Sequence, residues 1–354
     1  MAQTRRADAG SAAGVLSLPA PAKVNLGLRV LGCRADGYHL LESLFVPLDL
    51  ADHLRVEIEP ERGSGPPEER LSFRLAGSGG AEPAADVPRG PENLAVRAAL
   101  RFLEAAGNPP VRVALELRKE IPSAAGLGGG SSDAAAVLRA LDSLLPGSLP
   151  EGRLASLALE LGADVPFFLA PSPALVTGIG ERIEPLPGLP ELWLLLANPG
   201  VSLSTAEVFR HYDVLAATLT PVEAGSTMRA LSGFRSGPAG LGKALGKTVE
   251  ETVEEAVGEA LESALHAGLL VNDLEPAARR LCPPIARLCE GLRGLGALDV
   301  GMSGSGATVF GVFGSEEEAR AGLSAAEFEA PVWLRVARTI AGTNSGTKKS
   351  RDVE

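Results

Sequence analysis

Hydrophobic positions in the stretch "PAKVNLGLRVLG" fall at every second residue, with Val24, Leu26, Leu28 and Val30 alternating with Lys23, Asn25, Gly27 and Arg29. A strand turns successive side chains to opposite faces, so this period predicts a strand with one apolar face and places Lys23 and Asn25 together on the other. Two more alternating runs, "HLRVEIE" from 53 to 59 and "RLSFRLA" from 70 to 76, flank the Gly/Pro-rich "PERGSGPPEE". That arrangement predicts antiparallel strands joined by a loop. "PENLAVRAALRFLEAAG" then predicts a helix over 92–106 ended by Gly107, and "VRVALELRKEIP" returns to the strand period through Val111, Val113, Leu115 and Leu117.

The pattern next breaks sharply. In "KEIPSAAGLGGGSSDAAAVLRALDSLL", Gly126, Gly128, Gly129 and Gly130 separate that strand from a helix in which Ala134, Val137, Leu138, Leu141 and Leu145 recur at helical spacing. Leu154, Leu157 and Leu161 predict a further helix over 151–161 with Gly162 as a left-handed terminator, and "ELWLLLANPG" from 191 predicts a buried strand leading to a loop. Residues 214–270 are rich in Ala, Glu and Gly with weak helical patterning, and their Glu-rich part reads as a solvated helix face. "IARLCEGLRGLGALDVGMSGSGATVFGVFGSEEEARAGLSAA" reads helix, strand, Ser-Gly turn, strand, helix. Strands and helices mix without a strict βαβ repeat, which predicts α+β layers and not a doubly wound sheet. Residues 1–16 and the tail "GTNSGTKKSRDVE" are small, polar and weakly patterned, so both ends are expected to be disordered.

Composition narrows the function. A chain of 354 residues exceeds what one hydrophobic core usually supports, so two domains are expected. With 33 Lys+Arg against 44 Asp+Glu, a formal net charge of -11, no general attraction to nucleic acid or to an anionic membrane is expected. Any phosphate must be held by a local site. The longest apolar block, "LWLLLA" at 192–197, is far short of a membrane span, and "MAQTRRADAGSAAGVLSLPAPAK" lacks the apolar run of a signal peptide, so the cytoplasm is the expected address. Cys33, Cys282 and Cys289 form no CxxC pair, and the four histidines at 39, 53, 211 and 266 are scattered, which argues against a structural zinc or a His-based metal site.

The glycine run is the strongest chemical signal. Residues without Cβ let successive backbone N–H groups turn inward into a nest, and the first helical turn adds unpaired donors and the positive end of its dipole. Such a place suits an anion. Ser131 and Ser132 can cap the helix, touch a phosphate oxygen or reach a Mg²⁺ held by it; the bland alternative is a flexible loop ending in a Ser cap. The Walker pattern fails because Gly130 stands where its Lys should be, and G-x-G-x-x-G fails because Ser131 stands where its last Gly should be. A second Gly-Lys-Thr, Gly246 to Thr248, has Leu241 five residues before it and reads as helix surface.

"GLGGGSSDAAA" resembles the second motif of the GHMP kinase superfamily, which includes galactokinase, homoserine kinase and mevalonate kinase. "PAKVNLGLRVLGCRADGYHLLESLFVPLDLAD", "LGADVPFFL", "NPGVSLSTAEVF" and "GMSGSGATVFGVF" follow in family order from about 18 to 335 and resemble the branch whose members phosphorylate cytidine diphosphate methylerythritol. The resemblance implies a two-domain α+β GHMP kinase fold. Its N-terminal ATP-binding domain, over 17–175, would be like the second domain of ribosomal protein S5, and its C-terminal substrate-binding domain, over 176–340, would be ferredoxin-like, with 1–16 and 341–354 disordered. It also implies ATP and Mg²⁺ as cofactors, a small-molecule partner with no nucleic acid or membrane, and a monomer or weak homodimer.

Residue roles come from the same resemblance. Lys23 and Asp164 are the implied catalytic pair, Asp164 accepting the substrate's hydroxyl proton while Lys23 keeps it ionised and steadies the developing negative charge. Pro122, Ser123, Ala124, Ala125, Gly126, Leu127, Gly128, Gly129, Gly130, Ser131 and Ser132 would hold the triphosphate, with Asn93 near the adenine and Ser132 a candidate for Mg²⁺. Tyr38 and His39 would meet the cytosine ring with Phe209 as a second aromatic wall, and Asn25 and Thr205 would add polar contacts to the cytidine. Local chemistry leaves alternatives: Asp164 could cap a helix starting at Val165, Lys23 could be solvated, Phe209 could be core, and Ser305-Gly306 could be a plain hairpin turn. The start "PSAAGL" is poorer in glycine than in some relatives, and 214–270 is longer than usual, with "VNDLEPAARRL" at 271–281 recovering the match. A kinase of another small alcohol, or a binding protein without catalysis, stays open.

Overall fold

The computed structural model describes residues 13–61, 65–77, 87–187, 189–217, 261, 270–328 and 332–341. Most of the Ala/Glu/Gly-rich segment 214–270 and of the two ends expected to be disordered lies outside the described residues. At the N-terminus the first strand, β1 (Gly14–Cys33), begins inside the 1–16 segment, because Gly14, Val15 and Leu16 pair with Ile58, Glu57 and Val56 of β2 (His39–Pro60). Backbone pairing orders a stretch whose side chains alone predict nothing.

β2 is the spine of the first sheet. One edge pairs with β1 along most of its length; the other is shared by β4 (Val111–Arg118), against 53–60, and β5 (Ala174–Gly178), against 41–45. β6 (Arg182–Pro185) extends this sheet beyond β5, so the expected division at 175/176 falls within β5 and the first sheet runs on to Pro185. β3 (Leu71–Ala76) corrects the hairpin expectation, for it pairs in parallel with β4 and not with β2. The helix α2 (Leu94–Ala105) lies between the two strands in sequence and supplies the crossover that parallel neighbours require. The buried Arg70, last residue of the short α1 (Pro67–Arg70), donates to the carbonyls of Gly65, Pro109 and Val111 and ties the start of β3 to that of β4.

The second sheet has the order β10-β7-β9-β8, all antiparallel: β7 (Trp193–Asn198), β8 (Asp299–Met302), β9 (Val309–Phe313) and β10 (Trp333–Arg338). Three cores result. Phe102, Leu138 and Leu141 of α2 and α3 (Gly129–Leu144) pack with Val56 and Val113 of the first sheet, joined by α4 (Arg153–Leu161) through Leu157. Val24, Leu26, Leu44 and Val46 of β1 and β2 meet Leu194, Leu196, Phe310 and Val312 between the two sheets. Leu195 and Val309 face Ile285, Leu288 and Leu292 of α7 (Pro284–Gly294), with α6 (Glu275–Leu281) and α8 (Glu316–Ala325) on the same side. "WLLLAN" is apolar without alternation because β7 is buried on both faces. This is the expected two-sheet α+β architecture, and among the described residues no helix is long and apolar enough to cross a membrane.

Three local expectations change. The cap of α3 is Gly128, in the left-handed conformation at φ 71, and neither serine caps it. Gly162 ends α4 with φ 167, extended backbone and not a left-handed turn. No helix starts at Val165 with Asp164 as cap; a single 3-10 turn, Pro166–Leu169, follows without a side-chain cap.

The glycine loop is held from below and from the side. Below it, Asp52 of β2 is fully buried and accepts the N–H groups of Glu120 (2.6 Å) and Ile121 (2.9 Å) while pairing with Lys119, whose ammonium also meets Asp133 of α3 at 2.7 Å. Burial pushes the Asp133 carboxyl up to about 7, against the pull of Lys119, with Asp52 adding to the rise. From the side, Gly126 packs backbone to backbone on the 303–306 turn, where a Cβ would lie 2.2 Å from the Ser303 carbonyl oxygen at a φ of +77.

An acid whose folded pKa is raised holds a proton that the unfolded chain has lost, so its favourable contribution exists at low pH and fades as pH rises toward about 7. Thermal melts at about pH 5 and about pH 8 are expected to show a smaller fall in Tm for Asp133→Asn than for the wild type; an unchanged difference would remove Asp133 from that dependence. Gly126→Ala is expected to cost about 1–3 kcal/mol in urea unfolding, from left-handed strain and the collision with Ser303.

Candidate active site

A cavity of about 620 Å³ opens where the two sheets meet, walled by the glycine loop, the start of α3, the inner face of β1 and β2, and the start of α5 (Thr205–Ala216). Pro122 to Gly126 and Gly128 to Ser131 line it. Left-handed Gly128 lets the chain enter the helix abruptly, and a Cβ there would stand 2.8 Å from Phe168 and 3.2 Å from Lys23. The first bond of α3 runs from Ser132 N–H to the Gly128 carbonyl at 2.9 Å, so the amides before it have no partner one turn back and face the cleft with the positive end of the helix dipole. Backbone donors so arranged can hold an anion.

Two members of the predicted loop set do not line the cleft. Leu127 is buried in the core between the sheets, and only its backbone serves the site, its carbonyl accepting the Lys23 N–H at 2.9 Å. Ser132, the serine named as a candidate for Mg²⁺, is buried within α3 with its hydroxyl unpartnered, while Ser131 lines the cleft. Among the described residues no group of three His, Cys, Asp or Glu side chains could hold a metal ion. Asn93 lines the cavity but spends its side chain on local structure, accepting from Ala95 N–H at 2.9 Å as the cap of α2 and donating to the Pro88 carbonyl at 2.8 Å.

Lys23 sits at the centre. It is 3% exposed, and its ammonium donates to Asn25 Oδ1 at 2.6 Å, approaches the Gly126 carbonyl at 3.4 Å, faces Asp164 Oδ2 at 3.6 Å and lies 4.6 Å from the centre of the Phe45 ring. Burial lowers its pKa, and Asp164 opposes that shift by charge and by hydrogen bonding. The Asp164 side chain is 33% exposed at the cleft, where it can accept a proton from an incoming group. Asn25 is 3% exposed, with Oδ1 on Lys23 and Nδ2 on Ser43 at 2.7 Å. Its amide is engaged with Lys23 and Ser43, and the residue also lines the cavity.

The expected aromatic clamp is also arranged differently. His39 stacks on Phe209 at 4.6 Å and 21°, with Nε2 on Asp213 Oδ1 at 2.7 Å, while Tyr38 is 60% exposed and outside the cleft. The imidazole thus covers the Phe209 face on which a base was expected to lie between Tyr38 and Phe209. Phe209 itself lines the cavity. Thr205, the first residue of α5, lines it too and meets Ser305 Oγ at 3.0 Å, which joins that helix to the Ser-Gly turn. That turn is both a hairpin and a contact to the loop: Ser303 Oγ donates to the Gly126 carbonyl at 2.9 Å and accepts the Asn25 N–H at 3.2 Å.

Several contributors escape the sequence reading. Lys119 directly precedes the loop and lines the cleft, and its position in "KEIP" is a signal that could have been followed. Asp52 and Asn272 carry no local signal, because each acts through a partner brought near by strand register or chain return. Asn272 donates to the carbonyls of Met302 (2.7 Å) and Gly304 (2.8 Å) and so shapes the Ser-Gly turn.

Comparison with known proteins agrees with this geometry. The model described as GHMP kinases N terminal domain matches residues 93–171, and that described as GHMP kinases C terminal matches 247–330. The 4-diphosphocytidyl-2-C-methyl-D-erythritol kinase of Rhizobium leguminosarum bv. trifolii is 40% identical over 324 residues, 91% of this chain and 94% of the relative. That of Moorella thermoacetica is 40% identical over 309 residues, 86% and 93% of the two chains. A crystal structure of 4-(cytidine 5'-diphospho)-2C-methyl-D-erythritol kinase superposes with a TM-score of 0.66 at 37% identity, covering 91% of this chain and 98% of its own. With its glycine loop, buried lysine and two-sheet cleft, the chain belongs to the 4-diphosphocytidyl-2-C-methyl-D-erythritol kinase family of GHMP kinases.

Proposed function

We propose that the chain uses ATP to phosphorylate the 2-hydroxyl of 4-diphosphocytidyl-2-C-methyl-D-erythritol, a step in making isoprenoid precursors. One observation carries the residue assignment: Lys23 and Asp164 converge within 3.6 Å in the same cavity as the exposed amides of α3. Phosphoryl transfer asks the protein mainly for alignment and charge neutralisation. The amides from Gly128 to Ser131 bind the triphosphate oxygens. Asp164 takes the hydroxyl proton as the alcohol oxygen bonds to the γ-phosphorus, and the bond from that phosphorus to the bridging oxygen breaks to leave ADP. Lys23, held by Asn25 and facing Asp164, offers positive charge to the transferring group.

Mg²⁺ fits this donor set as an ion carried on the nucleotide, since it commonly keeps phosphate oxygens and waters as ligands. Ser131, which lines the cleft at the start of α3, would offer it a hydroxyl, and when bound the ion supplies charge neutralisation on the phosphates. Phe209, which lines the cavity with Thr205, offers an aromatic ring that favours a substrate bearing a base over a bare polyol.

An ADP-release assay with the cytidine substrate, mevalonate and homoserine in parallel is expected to respond to the cytidine compound; a response to mevalonate or homoserine alone would replace the substrate assignment, and binding without ADP release would replace the catalytic one. Asp164→Asn is expected to lower kcat by about 100-fold or more with ATP affinity nearly unchanged, and an unaltered rate would take Asp164 out of the chemistry.

A further inference from the structure

One buried hydroxyl of the cleft is left without a role by this mechanism. Ser43, on β2, is 2% exposed and lines the cavity beside Asn25. Its Oγ donates to the Gly27 carbonyl at 2.6 Å and accepts from Asn25 Nδ2 at 2.7 Å. A hydroxyl carries one proton. With that proton committed to a carbonyl, which can only accept, Ser43 can face Asn25 only as an acceptor and must meet the NH₂ end of the amide. The two ends of a carboxamide have nearly the same shape, so packing alone leaves the flipped orientation open. Ser43 removes that choice and turns Oδ1 toward the Lys23 ammonium.

Register makes this arrangement possible. The β1–β2 pairing shifts between Asn25 and Gly27, and at that irregularity one residue of β2 reaches both the carbonyl of Gly27 and the side chain of Asn25. Ser303 Oγ approaches the same Oδ1 at 3.4 Å from the second sheet. In the flipped orientation two amide protons would confront the ammonium, which has only protons to offer, and Lys23 would turn away from Asn25.

We propose that Ser43 is a positioning residue for phosphoryl transfer: by accepting from Asn25 Nδ2 it fixes the carboxamide so that Oδ1 holds the Lys23 ammonium between the Gly126 carbonyl and Asp164. This rests on the kinase reading and extends it by one layer. Ser43 acts through Asn25.

Steady-state kinetics of Ser43→Thr, Ser43→Ala and Ser43→Val, with Ser43→Ala repeated in an Asn25→Ala background, test it. Ser43→Thr keeps the hydroxyl and is expected to stay within about 3-fold of the wild-type kcat, whereas Ser43→Val is expected to lose about 10-fold or more with the KM for ATP moving less than about 3-fold. In the Asn25→Ala background the Ser43→Ala change is expected to cost nothing further, as coupled residues are non-additive. A wild-type kcat in Ser43→Val, or a full additional loss in the Asn25→Ala background, overturns the proposal. Should Ser43→Val fail to fold, Ser43→Ala carries the same comparison. A second readout is independent of the substrate: labelling of Lys23 by an amine-reactive reagent, followed by mass spectrometry, is expected to rise in Ser43→Val or Ser43→Ala and not in Ser43→Thr. Equal labelling in all variants would overturn the assignment even if the wild type proved to be a kinase of another alcohol.

Discussion

A buried ammonium is the constraint on which the rest of the site depends. Taking a charged lysine out of water costs several kcal/mol unless acceptors and an opposite charge replace the solvent. Lys23 finds them in Asn25 Oδ1, the Gly126 carbonyl, the Phe45 ring and Asp164. These partners come from β1, the glycine loop, β2 and the segment before the 3-10 turn, so satisfying one cation requires four parts of the first domain to arrive together. The same requirement keeps Asp164 beside the loop that presents its amides to an anion.

The loop needs support because its glycines provide none of their own. Asp52 supplies it from below, pinning the backbone at Glu120 and Ile121 and sharing Lys119 with Asp133 of α3. The 303–306 turn supplies it from the second sheet, through Ser303 on Gly126 and the Thr308 N–H on the Ala125 carbonyl at 3.2 Å. Asn272 holds that turn in shape, and the backbone exchange of Leu28 with Val271 and Asp273, both at 2.9 Å, anchors the Asn272 segment to β1. The two sheets are therefore joined at the cleft itself. A contact that positions the phosphate seat is also a contact that holds the domains together.

At the start of α5 the side chains do not form an open clamp. His39 is both stacked on Phe209 and bonded to Asp213, linking the start of β2 to α5, and Tyr38 stands in solvent. In this structure the ring partner of Phe209 is His39. An imidazole and a carboxylate four residues beyond Phe209 make a mutual contact that neither local sequence announces.

Period and composition determined much by themselves. Alternation in "PAKVNLGLRV" paired Lys23 with Asn25 on one strand face, the glycine run marked the anion seat and the following helix, and the Ser-Gly turn stood between two strands as the pattern predicts. These features are local, set by side-chain spacing and by the backbone freedom of glycine. What only the tertiary structure decided was pairing. β3 lies parallel to β4 because a helix intervenes; Gly128, and not a serine, caps α3 because Lys23 and Phe168 crowd the chain there; Asn25 serves Lys23 because a shifted register brings Ser43 to its amide. Each outcome depends on which distant residue becomes a neighbour, and no period along a single chain carries that information.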